Sequence, residues 1–369
     1  MNRQRRIVID ARMISLTGIG RYLANLLDNL QRLDNRNHYV VIMQPRDRGY
    51  WQPSAPNFRV MIVNAPEYTL REQLWLPLVL YWLRPSLVHF PAPNLPLLYQ
   101  RRFVVTVQDL TLLKFRNVRR SRLRYAIKQS AFRLVIRQAI RRAAVVISTT
   151  KFGQRELVDH FGQLPATQMA LIPLAADQPP RSPAGPSVVP PPYLLYVGNY
   201  FPFKNIRRLI EALPAIVAGH PDIKLVLAGN TGFFGAELQQ RCRQLHLTKR
   251  VVFTGFVPDA ELDRLYRSGS LYVFPSLSEG FGIPGLEAMA RSLPVAAARA
   301  TCLPEVYGEA AVYFNPHDTA DMARVISDTL ADPKKLASLK RSGLVRAKSF
   351  SWKRTAEQTL AVYQQILGH

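Results

Sequence analysis

Short runs of β-branched and aliphatic residues recur along this chain with helical stretches between them, and one proline-rich stretch cuts that alternation in two. The first series is IVID at 7, YVVIM at 39, LVHF at 87, VVTV at 104 and VVIS at 145. Continuous apolar runs of this length, separated by helices, suit strands of a parallel sheet covered on both faces. From Asp177 to Pro192 the chain reads DQPPRSPAGPSVVPPP, which can sustain neither a helix nor a central strand. The grammar then restarts with YLLYVG at 193, KLVLAG at 224, VVFTG at 251, LYVFPS at 271 and PVAAA at 294. A chain of 369 residues exceeds one ordinary core. The expectation is an α/β protein of two Rossmann-like domains, 1–177 and 193–349, joined by a proline-rich linker over 178–192. The tail FSWKRTAEQTLAVYQQIL places Trp352, Ala356, Leu360 and Tyr363 at helical spacing, which predicts an amphipathic closing helix within 350–369.

The balance of 49 Lys and Arg against 25 Asp and Glu leaves a net charge of +24. Such an excess points to an anionic partner: nucleic acid, phosphorylated lipid, nucleotide or membrane surface. Cys242 and Cys302 are the only cysteines; they form neither a disulfide framework nor a zinc pattern, which fits a cytoplasmic setting. The opening MNRQRR runs into IVIDARMISL, an apolar run broken by Asp10 and Arg12, so it reads as a first strand and not a signal peptide. The apolar window from Leu74 to Leu83 contains Pro77 and is far short of the ~20 residues that span a bilayer.

Three segments carry candidate chemistry. After the first strand, TGIGRYLANLL sets Gly18 and Gly20 before a helix; such a helix start favours anions, although two glycines also make a tight turn. In SLSEGFGIPGLEAMA, Glu279 and Glu287 stand eight apart with Gly280, Gly282 and Gly285 between them. A helix from about Gly285 puts Glu287 in its first turn, with backbone N–H groups available to a phosphate and two carboxylates to hydroxyls. The alternative is a pair of solvated glutamates. In YLLYVGNYFPFKNIRRLIEAL, Gly198, Asn199 and Lys204 follow a strand; the lysine there is either a diphosphate partner or a surface cation. His89 in LVHFPAPNLP either lines a binding face or is a satisfied core residue.

From Thr111 to Arg142 there is no acidic residue, while Lys114, Arg116, Arg119, Arg120, Arg122, Arg124, Lys128, Arg133, Arg137, Arg141 and Arg142 accumulate among Leu123, Ile127, Phe132, Leu134, Val135 and Ile136. The segment 111–142 reads as basic amphipathic helices able to lie on an anionic membrane surface, or as helices packed on their own sheet with a solvated arginine face. Aromatic platforms of a nucleic-acid module are missing, so no nucleic acid is expected.

On EGFGIPGLE, GNYFPFKN, VLAG, FTGFVPDAELDRLY and FSWKRTA, the chain resembles the GT4 family of GT-B glycosyltransferases, particularly bacterial mannosyltransferases of polysaccharide assembly. The resemblance runs nearly end to end. It implies two domains facing each other across a cleft, with the last helix returning to the first domain. It also implies a nucleotide diphosphate sugar donor, GDP-mannose favoured with UDP and dTDP sugars open, and a glycan or lipid-linked acceptor. Transfer is then retaining, with no cofactor and no metal, at the inner face of the cytoplasmic membrane. By motif, Glu287 holds the donor ribose, Glu279 the transferred sugar, and Phe281 and Gly282 offer amides. Lys204 and Asn199 meet the diphosphate, and Gly18 and Gly20 face the same phosphates. Two departures stand out. Gln108 replaces a histidine before Asp109 in VVTVQDL, and Asn199 and Phe203 stand where relatives carry an arginine, which leaves Arg12, Arg21 or Arg207 to compensate. A sugar-nucleotide epimerase or phosphorylase on the same fold, and a scaffold without turnover, are the rivals.

Overall fold

The computed structural model describes residues 5–114, 122–177 and 187–368. The chain divides into two compact units, Met1–Leu174 with Ser351–His369, and Ala175–Phe350. Among the described residues the first unit holds strands β1 (Arg6–Asp10), β2 (His38–Met43), β3 (Phe58–Ile62), β4 (Leu87–Phe90), β5 (Phe103–Val107), β6 (Val145–Ser148) and β7 (Met169–Leu171). They form one sheet in the order β3-β2-β1-β4-β5-β6-β7, parallel throughout. β1, β4, β5 and β6 lack a polar face because helices cover both sides; their apolar residues are fully buried.

The second unit repeats the plan with β8 (Tyr193–Val197), β9 (Lys224–Ala228), β10 (Val251–Gly255), β11 (Leu271–Phe274), β12 (Val295–Ala298) and β13 (Ala311–Phe314), in the order β10-β9-β8-β11-β12-β13. Each sheet therefore reverses direction once, between β1 and β4 in the first and between β8 and β11 in the second. In open parallel sheets the loops leaving the two strands at such a reversal diverge and leave a crevice for ligand.

The closing helix Trp352–Leu367 packs on the Ile19–Leu33 helix of the first unit. A buried polar chain fixes it there. His89 Nδ1 lies 2.5 Å from the Tyr363 hydroxyl, its Nε2 2.8 Å from Thr106 Oγ1, and Thr106 in turn meets Tyr22. His89 is fully buried, and desolvation pushes its pKa down to about 3. Of its two readings it takes the structural one, a neutral core residue.

Candidate functional site

In the second unit the sequence elements converge at the sheet reversal. β8 runs into a single 3-10 turn, Pro202–Lys204, with a proline in its first positions, and β11 runs into the loop that carries Glu279. Lys204 Nζ donates to Glu279 Oε1 at 2.7 Å, with only 16% and 11% of the two side chains exposed. The ammonium also sits 5.3 Å and 6.0 Å from the ring centres of Phe203 and Phe274. Lys204 is thus not a free surface cation. It is held by a carboxylate and two ring faces, a setting that fixes its direction.

Two further contacts weld these loops together, and sequence reasoning missed the residue behind one of them. Leu277 donates its N–H to the Phe203 carbonyl at 2.7 Å. Asn205, buried and in the left-handed region at φ 61°, donates from its side chain to the carbonyls of Pro275 at 3.0 Å and Pro316 at 2.8 Å. An asparagine adopts that backbone more readily than most residues. Its place directly after Lys204 was the available signal.

Glu279 is anchored by its backbone, whose N–H donates to Thr301 Oγ1 at 3.3 Å and whose carbonyl accepts from Cys302 Sγ at 3.3 Å. Tyr196, Tyr272 and Tyr307 have hydroxyl pKa values well above the ordinary range, first because they are buried; the negative Glu279 nearby comes next for Tyr196 and Tyr307, and neighbouring tyrosines for Tyr272. The Cys302 thiol is raised by burial and then by Glu279. None of these groups gives up a proton near neutrality, so they act as neutral lining.

Two of the glycines between the two glutamates, Gly282 and Gly285, are required by close packing. A Cβ at Gly282 would stand 2.4 Å from the Tyr307 hydroxyl and one at Gly285 2.3 Å from it; that hydroxyl donates to the Gly282 carbonyl at 2.6 Å. Gly282, at φ 93°, caps the helix Ile283–Ala290. The helix therefore begins two residues earlier than the expected start near Gly285, because the left-handed glycine and Pro284 suit a helix entry. As a result Glu287 lies in the second turn, not the first. It is 3% exposed and accepts from the Tyr266 hydroxyl at 3.1 Å. Phe281 packs its ring edge-on against Phe350, 5.5 Å between centres, which leaves its backbone to serve the loop. Asn199 keeps a buried side-chain oxygen without a hydrogen-bond partner, while its carbonyl accepts from Tyr196 at 2.7 Å.

In the first unit, Gly18 (φ 74°) caps the Ile19–Leu33 helix after β1, and a Cβ at Gly20 would lie 2.2 Å from the Ile14 carbonyl oxygen. Gln108 follows β5 with its side-chain nitrogen buried and without a partner. Asp109, beside it and exposed, accepts from the Thr111 N–H at 2.8 Å and so starts the Thr111–Lys114 helix. Arg12 does not compensate for a missing phosphate-loop arginine. It is 1% exposed and pairs with Asp10 and Glu72 at 2.7 and 2.8 Å, which outweighs the opposing effect of burial and raises its pKa. Arg207 is also engaged, with Glu211 and Glu237.

The basic segment forms the Thr111–Lys114 helix and one long helix, Arg122–Arg142. Arg116, Arg119 and Arg120 lie outside the described residues, as do the side chains of Arg122, Leu123, Arg124, Ile127 and Lys128. Ile136, Ala139 and Ile140 are buried in the unit's core, while Arg133, Arg137 and Arg141 are exposed. Among the described residues no helix is long and apolar enough to cross a membrane.

Known proteins resemble the chain along its whole length. The family profile described as Glycosyl transferases group 1 matches residues 180–345, and that of Glycosyltransferase Family 4 matches residues 16–178. The O-antigen chain mannosyltransferase B of Escherichia coli is 30% identical over 289 residues, 75% of this chain and 74% of that protein. A serotype-specific mannosyltransferase, WbdA of Escherichia coli, is 35% identical over 187 residues, 48% of this chain but 22% of that longer protein. Among solved structures, a sucrose-phosphate synthase from Thermosynechococcus elongatus superposes with a TM-score of 0.78 at 22% identity, over 99% of this chain and 100% of the other.

Proposed function

This chain belongs to the family 4 glycosyltransferases of GT-B fold, and from that premise we propose that it transfers mannose from GDP-mannose, with retention of configuration, to a glycan or lipid-linked acceptor of a cell-surface polysaccharide. The observation that carries this reading is the Lys204 and Glu279 pair at the sheet reversal, set beside the amino-terminal end of the Ile283–Ala290 helix. In the proposal residues 193–349 bind the donor and 1–177 the acceptor.

The helix start and the glycine loop with Phe281 and Gly282 receive the diphosphate, and Glu287 receives the ribose. Glu279 accepts hydrogen bonds from the sugar hydroxyls, while Lys204 neutralises charge on the diphosphate as it departs. The bond from the anomeric carbon to the phosphate oxygen breaks and the bond to the acceptor oxygen forms on the same face. The acceptor's proton passes to the leaving phosphate oxygen. Gln108 cannot take a proton, and the phenols around Glu279 hold theirs, which supports the phosphate as the base. In this role Gln108 and Asp109 position groups. The mannosyl donor is favoured by the O-antigen relative, and the basic 111–142 segment supports work at the cytoplasmic membrane surface.

A thermal-shift panel of GDP, UDP, dTDP and their sugars, against wild type and Glu287→Ala, tests the donor. The expected result is stabilisation by GDP-mannose that the variant loses; stabilisation by no nucleotide sugar overturns the reading. Product analysis should give a retained anomeric centre, formed equally well in the presence of a chelator. An inverted centre or loss of turnover on chelation overturns the mechanism.

A further inference from the structure

The Leu70–Leu83 helix is apolar on both sides. Leu76, Pro77, Val79, Leu80 and Leu83 face inward and are buried in the first unit's core. Facing outward are Leu70 at 79%, Leu74 at 60%, Trp75 at 51%, Leu78 at 60% and Trp82 at 71% exposure. Leu70, Leu74, Leu78 and Trp82 recur every four residues and so form one stripe. Arg71 is the only charged residue on that outer face. A helix that is apolar all round belongs inside a core or in lipid, and a contiguous apolar patch of this kind on a surface marks a partner. Fourteen residues rise about 21 Å, too little to span a bilayer but enough to lie in its interface with the tryptophans at the boundary between headgroups and acyl chains.

The surface around this stripe selects the partner. Tyr81 of the helix donates to the Leu98 carbonyl at 3.0 Å, and Arg142 of the Arg122–Arg142 helix donates to the Leu97 carbonyl at 3.0 Å. At the other end Tyr68 meets Phe132 with 6.0 Å between ring centres. The stripe, the 97–102 turn and the basic helix are therefore one continuous face. Leu98 and Leu134 add exposed apolar side chains to it, and Arg84, Arg101, Arg133 and Arg137 are exposed. Between Gln73 and Lys151 the only acidic residue is Asp109. A second copy of the chain would bring a like charge of +24 against this face.

We propose that the outer face of the Leu70–Leu83 helix inserts in the plane of a bilayer containing acidic phospholipid, with the exposed arginines around it on the headgroups. This deepens the membrane reading of the basic segment by making the helix, and not the arginines alone, the seat. It stands independently of the donor.

The four tryptophans make it testable, since Trp51 and Trp352 are buried, at 7% and 8% exposure, and only Trp75 and Trp82 can meet lipid. Full-length protein is floated with phosphatidylcholine vesicles, with and without phosphatidylglycerol, some with brominated acyl chains, and no donor is added. The expected result is binding to the acidic vesicles, a blue-shifted emission, and quenching by the bromines that Trp75→Phe with Trp82→Phe abolishes. The exposed pair Leu78→Gln with Trp82→Gln should weaken binding by at least tenfold with an unchanged circular dichroism melt. Binding without bromine quenching means adsorption through the arginines only and overturns the insertion. A salt-insensitive, concentration-dependent dimer broken by the same glutamine pair, or capture of an acidic protein without vesicle binding, also overturns it. Because the assay contains no nucleotide sugar, its failure leaves the catalytic reading intact, and the reverse holds.

Discussion

Replacing Lys204 with methionine should damage the second unit before any substrate is present. At 2.7 Å the Lys204 and Glu279 charges attract by about 6 kcal/mol at an effective dielectric of about 20. Desolvating two nearly buried groups takes back most of that, so the pair adds little net stability. Removing only the lysine is different, because it leaves the Glu279 carboxylate among Tyr196, Tyr272 and Tyr307 with no counter-charge, at a cost of about 3 kcal/mol. In a unit the size of Ala175–Phe350 each kcal/mol moves the melting midpoint by about 2–4 °C, so the shift should be about 6–12 °C. Donor-free scanning calorimetry of the full chain reads it. Lys204→Met combined with Glu279→Gln should recover most of the loss, because the stranded charge is gone. A single variant within about 2 °C of wild type, or a double variant no better than the single, refutes the electrostatic argument. In turnover the same lysine change should lower kcat by about 10²–10³, with partial recovery in Lys204→Arg. A kcat within about threefold of wild type removes Lys204 from the leaving-group role.

The first unit offers three sharper tests. Gly20→Ala drives a methyl toward the Ile14 carbonyl, 2.2 Å away, and should cost about 3 kcal/mol in urea unfolding. Gly18→Ala meets nothing within 4 Å and should cost about 1 kcal/mol for its positive φ; the reverse order refutes the packing account. His89 titrates at about 3 when folded against 6.5 otherwise, so its contribution is complete above pH 6.5 and falls as pH drops, by about 2 kcal/mol between pH 6.5 and 5. A urea midpoint for the first unit with no such slope, or a slope unchanged in His89→Gln, refutes this. Gln108→Ala removes an amide nitrogen that bonds to nothing, so the melting midpoint should hold while kcat falls about tenfold. A lower midpoint with unchanged kcat makes Gln108 structural.

Which parts of this molecule were legible in its sequence follows from where residues sit in the sheets. The central strands announce themselves because two neighbours and two helical layers demand unbroken apolar runs, as in LVHF and LYVF. The strands that the sequence reading did not contain, β3, β7 and β13, are all sheet edges. An edge strand is covered less, and FRVMI, MAL and AVYF carry partly exposed residues that blur the pattern. Glu279 and Lys204 were each visible as residues in loops after strands, and Glu287 as a residue near a helix start. That Lys204 meets Glu279, 75 positions away, was not, because it depends on β8 lying beside β11, and strand order leaves no local mark. Arg12 was misread for the same reason. Its partner Asp10 is two residues away, but the second carboxylate, Glu72, is sixty residues away, and without it a buried guanidinium looks like a free one. The Leu70–Leu83 helix is the converse case. Its composition is that of a core helix, and the sequence contains no sign that half of it lacks a core. Periodicity could not reveal this, because the inner and outer faces are equally apolar; only side-chain exposure separates them. The face that most calls for a partner is therefore the one that the hydrophobic pattern is least able to show.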